Sequence, residues 1–124
     1  MNNMYREIIL DHYKNPRNFG TIKNANAKAE KKNPLCGDEM AMDIKLSKTG
    51  KIDDIKFHGA GCSVSRAGGS ILTEAIKGKT KAQMKKYTDQ DFLKEMVAPI
   101  TPARKKCALL ALETVRQALE IKKK

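Results

Sequence analysis

Hydrophobic and polar positions alternate with a period of two over residues 40–47. Met40, Met42, Ile44 and Leu46 fall on one side and polar or small residues on the other. This pattern is typical of a half-buried strand. The turn sequence "KTG" follows, and residues 51–59 repeat the alternation with Ile55 and Phe57 inward. We therefore predict an antiparallel hairpin, with residues 26–32 as an outer strand.

Elsewhere the apolar positions recur with the helical period. The chain predicts helices over 3–13, from Cys62 to Gly78, over 80–86, over 89–96, and from Thr101–Pro102 onward. Thr80 and Thr88 are the expected N-caps of the two short helices, and Ser63 or Ser65 that of the helix after Cys62. His12, on the edge of an apolar stripe, is expected to be a packed or capping residue.

The order of the elements is helix, strands, then helices. It predicts an α+β fold in which helices pack on one face of a three-stranded antiparallel sheet. No internal repeat or linker interrupts the 124 residues, so residues 1–124 are expected to form one domain.

The chain is strongly basic, with a formal net charge of +11. Much of this charge is expected to be solvated surface lysine, and the alternative is that it serves an acidic protein partner, nucleic acid or a membrane surface. The lysines are dispersed and aromatic residues make up 5% of the chain, which argues against a single-strand nucleic-acid platform. The sequence has no apolar run of membrane-spanning length and no apolar signal segment at its start, so we expect a cytoplasmic protein that binds neither membrane nor nucleic acid.

Three cysteines are an odd number, and without a secretory signal a disulfide framework is not expected. Cys36 precedes the first hairpin strand, and Cys62 follows the second strand where "GAGC" meets a helix. These two positions lie at the same edge of a hairpin. Cys107 falls in the early turns of the last helix, and the sequence permits but does not force its placement beside the other two.

A helix start and neighbouring basic residues favour the thiolate, which is the nucleophile and metal ligand. Arg66 follows Cys62, and Arg104 and Lys106 precede Cys107. Asp38 could add an oxygen ligand, and three thiolates with one carboxylate suit Zn²⁺ or an iron–sulfur cluster. The alternative is that the cysteines are small buried core residues, because the sequence has no C-x-x-C pair.

Four segments in order carry a family resemblance: "MYREIILDHYKNPRNFG", "NPLCGDEM", "GAGCSVSRAGGSILTEAIKGKT" and "RKKCALLALETVRQAL". Together they span nearly the whole chain. The sequence resembles the iron–sulfur cluster scaffold proteins of the IscU, SufU and NifU N-terminal type. The resemblance implies that the chain accepts persulfide sulfur from a cysteine desulfurase, a pyridoxal-phosphate enzyme. It would assemble a labile [2Fe–2S] cluster and pass it to apo-proteins, acting as a scaffold and sulfur acceptor rather than a turnover enzyme.

By motif, the resemblance makes Cys36, Asp38, Cys62 and Cys107 the cluster and metal ligands, with Zn²⁺ as an alternative occupant. Cys36 and Cys107 are both candidate persulfide acceptors, and the SufU-like "RKKC" favours Cys36. A homo-oligomer is left open.

The sequence departs from the IscU pattern immediately before the last cysteine. IscU-type members have His there, whereas this chain has Lys106. A protonated Lys is no ligand, so Asp38 is the better fourth ligand, and Lys106 and Arg104 would support the thiolate or the cluster charge. "ITPARKK" does not reproduce the IscU chaperone-binding segment, and the chain lacks the insertion usual in SufU proteins.

The sequence is consistent with three functions. The first is the [2Fe–2S] scaffold, and the second is a zinc-dependent sulfurtransferase that relays persulfide sulfur without building the cluster. The third is a basic nucleic-acid-binding module with structural cysteines.

Overall fold

The computed structural model describes residues 3–33, 37–96 and 102–121. Its elements in chain order are α1 (Asn3–Lys14), β1 (Ala27–Asn33), β2 (Asp38–Leu46), β3 (Ile52–His58), α2 (Ser63–Ile76), α3 (Lys81–Lys86), α4 (Asp89–Glu95) and α5 (Pro102–Ala118). All of the predicted helices and strands are present, with boundaries within a few residues of those expected.

The three strands form one antiparallel sheet in the order β1-β2-β3. Met42 in the central strand lies between Ala29 of β1 and Phe57 of β3. Ile44 is likewise paired with Ile55. The period-two pattern places these apolar side chains on the same face, where those of β2 and β3 are buried and Ala29 is half-buried.

The helices pack against that face of the sheet. α2 contacts β3, and α5 contacts β1 and β2, while the two helices also contact each other. Leu72, Ile76, Leu112 and Val115 are fully buried in the resulting core. The expected α+β architecture, a three-stranded antiparallel sheet with helices on one face, is confirmed.

The opposite face of the sheet is less open than simple alternation predicts. Ala41 and Asp43 point to this face, yet both are buried. The segment before β1 covers them: the Ile22 backbone N–H donates to Asp43 Oδ2 at 2.9 Å, and that of Gly20 donates to the Phe57 carbonyl at 2.8 Å. The buried carboxylate is therefore hydrogen-bonded, as a buried charge requires.

α1 is fixed to α2 by one hydroxyl group. The Arg17 backbone N–H donates to Ser70 Oγ at 2.8 Å, and the same hydroxyl is hydrogen-bonded to His12 Nδ1 at 2.7 Å. Burial lowers the pKa of His12 below its ordinary value of 6.5, and the charge of Arg17 lowers it further. His12 is thus the packed residue that the sequence predicts.

The two short helices begin as expected. Thr80 and Thr88 each accept a hydrogen bond from the backbone of the third helical residue, and Gln83 and Asp91 complete the two capping boxes. Of the helices that the structure describes, none is long and apolar enough to cross a membrane.

Candidate metal and sulfur site

Asp38, Cys62 and Cys107 come from three distant parts of the sequence and meet at one end of the sheet. Asp38 is the first residue of β2, Cys62 is the N-cap of α2, and Cys107 lies in the second turn of α5. One ligand atom of each residue lies within 4.8 Å of those of the other two. Neither Cys62 nor Cys107 forms a disulfide. Cys36, the fourth expected ligand, lies outside the described residues, two positions before Asp38.

Asp38 binds Cys62 through both carboxylate oxygens. Oδ1 accepts the Cys62 backbone N–H at 3.0 Å, and Oδ2 lies 3.5 Å from Cys62 Sγ. The carboxylate is buried, with 4% of the residue exposed. This contact fixes the start of α2 against the start of β2, so the fold itself places the sulfur beside the oxygen.

The expected serine cap of α2 is wrong. Cys62 occupies the N-cap position with extended backbone, and its own side chain makes no capping hydrogen bond. Ser65 is buried inside the first turn, and its hydroxyl donates to the Cys62 carbonyl at 3.2 Å. Its Oγ also lies 3.9 Å from Cys62 Sγ. Ser65 therefore belongs to the surroundings of the thiol, a role that the sequence alone did not indicate.

The loop before Cys62 leaves no room for side chains. A Cβ on Gly61 would overlap Ser65 Oγ and lie 3.2 Å from the Asp38 carboxyl carbon. A Cβ on Gly59 would overlap the Glu39 carbonyl, and Gly59 also has a positive φ of 134°. The Glu39 backbone N–H donates to the Ala60 carbonyl at 2.7 Å, which holds the loop against β2. The two glycines permit this close approach of the loop to β2 and α2.

The three side chains differ in their access to solvent. Asp38 and Cys107 are buried, with 4% and 6% of each residue exposed, whereas Cys62 is half-buried. Two soft sulfur ligands and one harder oxygen ligand at this spacing suit Zn²⁺ or the iron of an iron–sulfur cluster. The donor set therefore fits both of the occupants that the sequence indicates.

The basic residues around the site are arranged in two different ways. Arg104 and Lys106 are exposed on the first turns of α5, beside Cys107 in sequence. The Arg66 guanidinium, expected near Cys62, is held instead by aromatic rings. It lies 4.5 Å from the Phe19 ring centroid and 5.6 Å from that of Tyr13, and its Nε donates to the Tyr13 carbonyl at 3.1 Å.

Nearly the whole chain also matches a known family. The model of the NifU-like N terminal domain matches residues 4–123. The chain belongs to this family. The matched range includes the four predicted ligand residues and all five helices except the first residue of α1.

Curated relatives of this NifU-like domain include proteins named SufU and proteins named IscU. The chain is 36% identical to the zinc-dependent sulfurtransferase SufU of Bacillus subtilis, covering 96% of this chain and 91% of the relative. It is 38% identical to the iron–sulfur cluster assembly scaffold protein IscU 1 of Archaeoglobus fulgidus, covering 94% and 74%. The SufU alignment spans 136 positions whereas this chain has 124 residues, so SufU has residues that this chain lacks.

A solved structure of the family shows the same fold. The SufU protein of Fervidobacterium islandicum AW-1 superimposes with a TM-score of 0.80 at 32% identity, over 96% of this chain and 99% of the other. The comparison supports the sheet and helix arrangement described above.

Proposed function

We propose that this NifU-like domain is an iron–sulfur cluster scaffold. It accepts persulfide sulfur from a cysteine desulfurase, assembles a [2Fe–2S] cluster and transfers it to apo-proteins. The observation that carries the proposal is the convergence of Asp38, Cys62 and Cys107 within 4.8 Å. The iron–sulfur scaffold named among its relatives supports the same function.

Cys36, Asp38, Cys62 and Cys107 are the proposed ligands of the cluster. Thiolates bind iron–sulfur clusters tightly, while a carboxylate is a harder and more readily exchanged ligand for iron. A scaffold must release what it assembles, and the single oxygen ligand gives it a position from which an acceptor protein can begin to displace the cluster.

Sulfur enters by thiol exchange. A cysteine thiolate of this chain attacks the outer sulfur of the desulfurase persulfide, the S–S bond breaks, and the desulfurase thiolate leaves. Two electrons then reduce each transferred sulfur to sulfide; ferrous iron and an external reductant supply them. Cys36 and Cys107 are the candidate acceptors, and the burial of Cys107 (6% exposed) supports Cys36 for the first contact with a partner.

Arg104 and Lys106 are proposed to support the chemistry by their charge. Both are exposed, and both precede Cys107 in the first turns of α5. Their positive charges favour a thiolate and offset part of the negative charge of a thiolate-bound cluster. The net charge of +11 also favours association with acidic surfaces on a desulfurase or an acceptor.

The second candidate is a zinc-dependent sulfurtransferase that uses the same residues. The SufU relative favours this candidate, because its alignment covers 96% of this chain and 91% of the relative. Two thiolates and a carboxylate also fit Zn²⁺, which prefers a tetrahedral set of such ligands.

One experiment separates the two functions. The metal-free chain is incubated anaerobically with a cysteine desulfurase, cysteine and a reductant, with either ferrous iron or Zn²⁺. A scaffold develops visible [2Fe–2S] absorbance with iron and transfers it to an apo-ferredoxin. A sulfurtransferase shows no such bands, while its zinc-loaded form accelerates the desulfurase. The second result would overturn the scaffold proposal.

A further inference from the structure

Two neighbouring cavities lie between the edge strand β1 and helix α5. One, of about 390 Å³, is lined by Lys31, Glu113, Arg116, Gln117 and Ile121. The other, of about 330 Å³, is lined by Lys31, Lys32, Asn33, Lys106, Leu110 and Glu113. Because Lys31 and Glu113 line both, the two cavities are adjacent, and together they are called here the β1–α5 groove.

The groove ends beside the proposed metal and sulfur site. Lys106, at one end, immediately precedes Cys107, and Asn33 is paired with Asp38 across the sheet. At the other end lies Ile121, just beyond α5. A partner segment lying in the groove would therefore reach the neighbourhood of the ligand residues.

Charged side chains face the groove without neutralising one another. Lys31 lies on the helix-facing side of β1 and is half-buried, although a solvated lysine would be expected at such an edge. Among the residues that the structure describes, neither Lys31 nor Lys106 forms an ion pair or a side-chain hydrogen bond, and Glu113 does not pair with either of them. Two ammonium groups against one carboxylate leave the groove positive.

The edge strand also offers backbone groups to an extended chain. Gln117 Nε2 donates to the Glu30 carbonyl at 3.4 Å, which shows that this carbonyl points away from β2. In an antiparallel strand alternate residues point the same way, so the backbone groups of Lys28 and Lys32 face outward with it. Gln117 thus covers one outward carbonyl of the edge strand, and natural proteins commonly cover exposed edges. Within the described part of the chain, no hydrogen bond covers the outward groups at the other two.

We propose that the β1–α5 groove binds an extended acidic segment of a partner protein, pairing with β1 and directing its carboxylates to Lys31 and Lys106. The acidic side chains occupy alternate positions that face α5, where Leu110 and Ile121 offer apolar contacts to their methylene groups. Strand addition to an edge takes its affinity from the backbone and its specificity from such alternate positions. As a docking surface for a partner of the scaffold, the inference rests on the proposed function, but its binding step requires no metal.

The test uses a fluorescein-labelled ten-residue peptide of alternating Glu and Val, with a Lys-Val peptide as its counterpart. Anisotropy titrations use the reduced, metal-free full chain at constant ionic strength. Lys31→Glu is compared with Lys85→Glu, which makes the same charge change on α3, a helix that lines neither cavity. We expect Lys31→Glu to weaken binding by about tenfold and Lys85→Glu to have less than about a twofold effect.

A second pair of variants tests for a gain of affinity. Glu113→Gln removes the carboxylate that opposes an acidic peptide and should tighten binding by about threefold, whereas Glu95→Gln on α4 should not. Amide chemical-shift changes on adding the Glu-Val peptide should be concentrated in β1 and α5.

Three outcomes would overturn the inference. They are no binding at about 1 mM peptide, equal losses in Lys31→Glu and Lys85→Glu, and tighter binding of the Lys-Val peptide. Because the titration contains no iron, desulfurase or sulfur, a failure of cluster assembly leaves its result unaffected. A peptide that does not bind would likewise leave the scaffold function intact.

Discussion

Asp38 holds Cys62 by two contacts at once: one carboxylate oxygen accepts the Cys62 backbone N–H at 3.0 Å, and the other lies 3.5 Å from its sulfur. The same side chain is thus a structural clamp and a proposed ligand. These contacts link the start of β2 to the start of α2. They also fix a buried carboxylate beside the two cysteines.

Replacing Asp38 should make the cluster more persistent and its transfer slower. Asp38→Ala removes the exchangeable oxygen ligand, and Asp38→Asn keeps an acceptor for the Cys62 N–H while providing a much weaker ligand. We expect transfer to an apo-ferredoxin, followed by circular dichroism, to slow by about tenfold in both variants. Asp43→Asn, which changes a buried aspartate on the opposite face of the sheet, is the control. Transfer at the wild-type rate in both Asp38 variants would contradict the role of the oxygen ligand.

Gly61→Ala should disrupt the site because its Cβ would overlap Ser65 Oγ. The expected result is a loss of about tenfold or more in zinc affinity, measured by chelator competition, since residues that orient ligands have effects of this size. Removing the obstructing hydroxyl in the double variant Gly61→Ala/Ser65→Ala should restore part of the affinity. If the double variant is no better than Gly61→Ala, the close contact with Ser65 is not the cause.

Gly69→Ala should destabilise the packing of α2 on the sheet. An added Cβ would lie 2.7 Å from two carbons of the Phe57 ring, which is fully enclosed in the core. Overpacking of this kind costs about 1–3 kcal/mol, and the better helix propensity of alanine offsets about 1 kcal/mol of it. Urea unfolding of Gly69→Ala should therefore show a lower free energy of unfolding. Phe57→Leu in the same background should recover stability, and an additive further loss would argue against the clash.

The anchoring of α1 should weaken in acid. Burial and Arg17 lower the pKa of His12, so the unfolded chain binds a proton more readily than the folded one. The neutral His12 ring therefore contributes stability that is fully present above pH 6.5. This contribution is lost as the pH falls through the lowered folded-state pKa of His12. His12 Nδ1 is hydrogen-bonded to Ser70 Oγ at 2.7 Å, so this titration takes place at the contact between α1 and α2.

The measurement is the free energy of unfolding between pH 7.5 and 5. Wild type and His12→Gln are compared, with His58→Gln as the matched change at the other histidine of the chain. The decline with falling pH should be shallower in His12→Gln and unchanged in His58→Gln. Equal declines in all three proteins would show that His12 does not cause the pH dependence.

Most of the fold could be predicted because it is encoded by local patterns. The alternation from Met40 to Leu46 specified the hairpin, and Thr80 and Thr88 specified the starts of two helices through hydrogen bonds within four residues. The start of α2 was predicted wrongly, with a serine cap, because long-range contacts determine it. Asp38, 24 positions away, binds the Cys62 N–H there, and Ser65 turns its hydroxyl back to the Cys62 carbonyl.

The site itself could be predicted only in part. Hairpin geometry predicted Cys36 and Cys62 at one edge, with Asp38 two residues from Cys36, but no local rule places Cys107 of α5 beside them. That convergence depends on how α5 packs across β1, β2 and α2. The burial of Asp43 was missed likewise, because the segment around Ile22 that covers it has no regular pattern.

The most direct test of the account is anaerobic reconstitution of wild type beside Cys36→Ser, Cys62→Ser and Cys107→Ser. Each is incubated with ferrous iron, cysteine, a reductant and a cysteine desulfurase, and the visible spectrum and iron content per chain are recorded. Lys85→Ser, an exposed change on α3, is the control. The account predicts [2Fe–2S] bands in wild type and the control and their loss in all three cysteine variants. Undiminished bands in Cys62→Ser or Cys107→Ser would contradict the shared site.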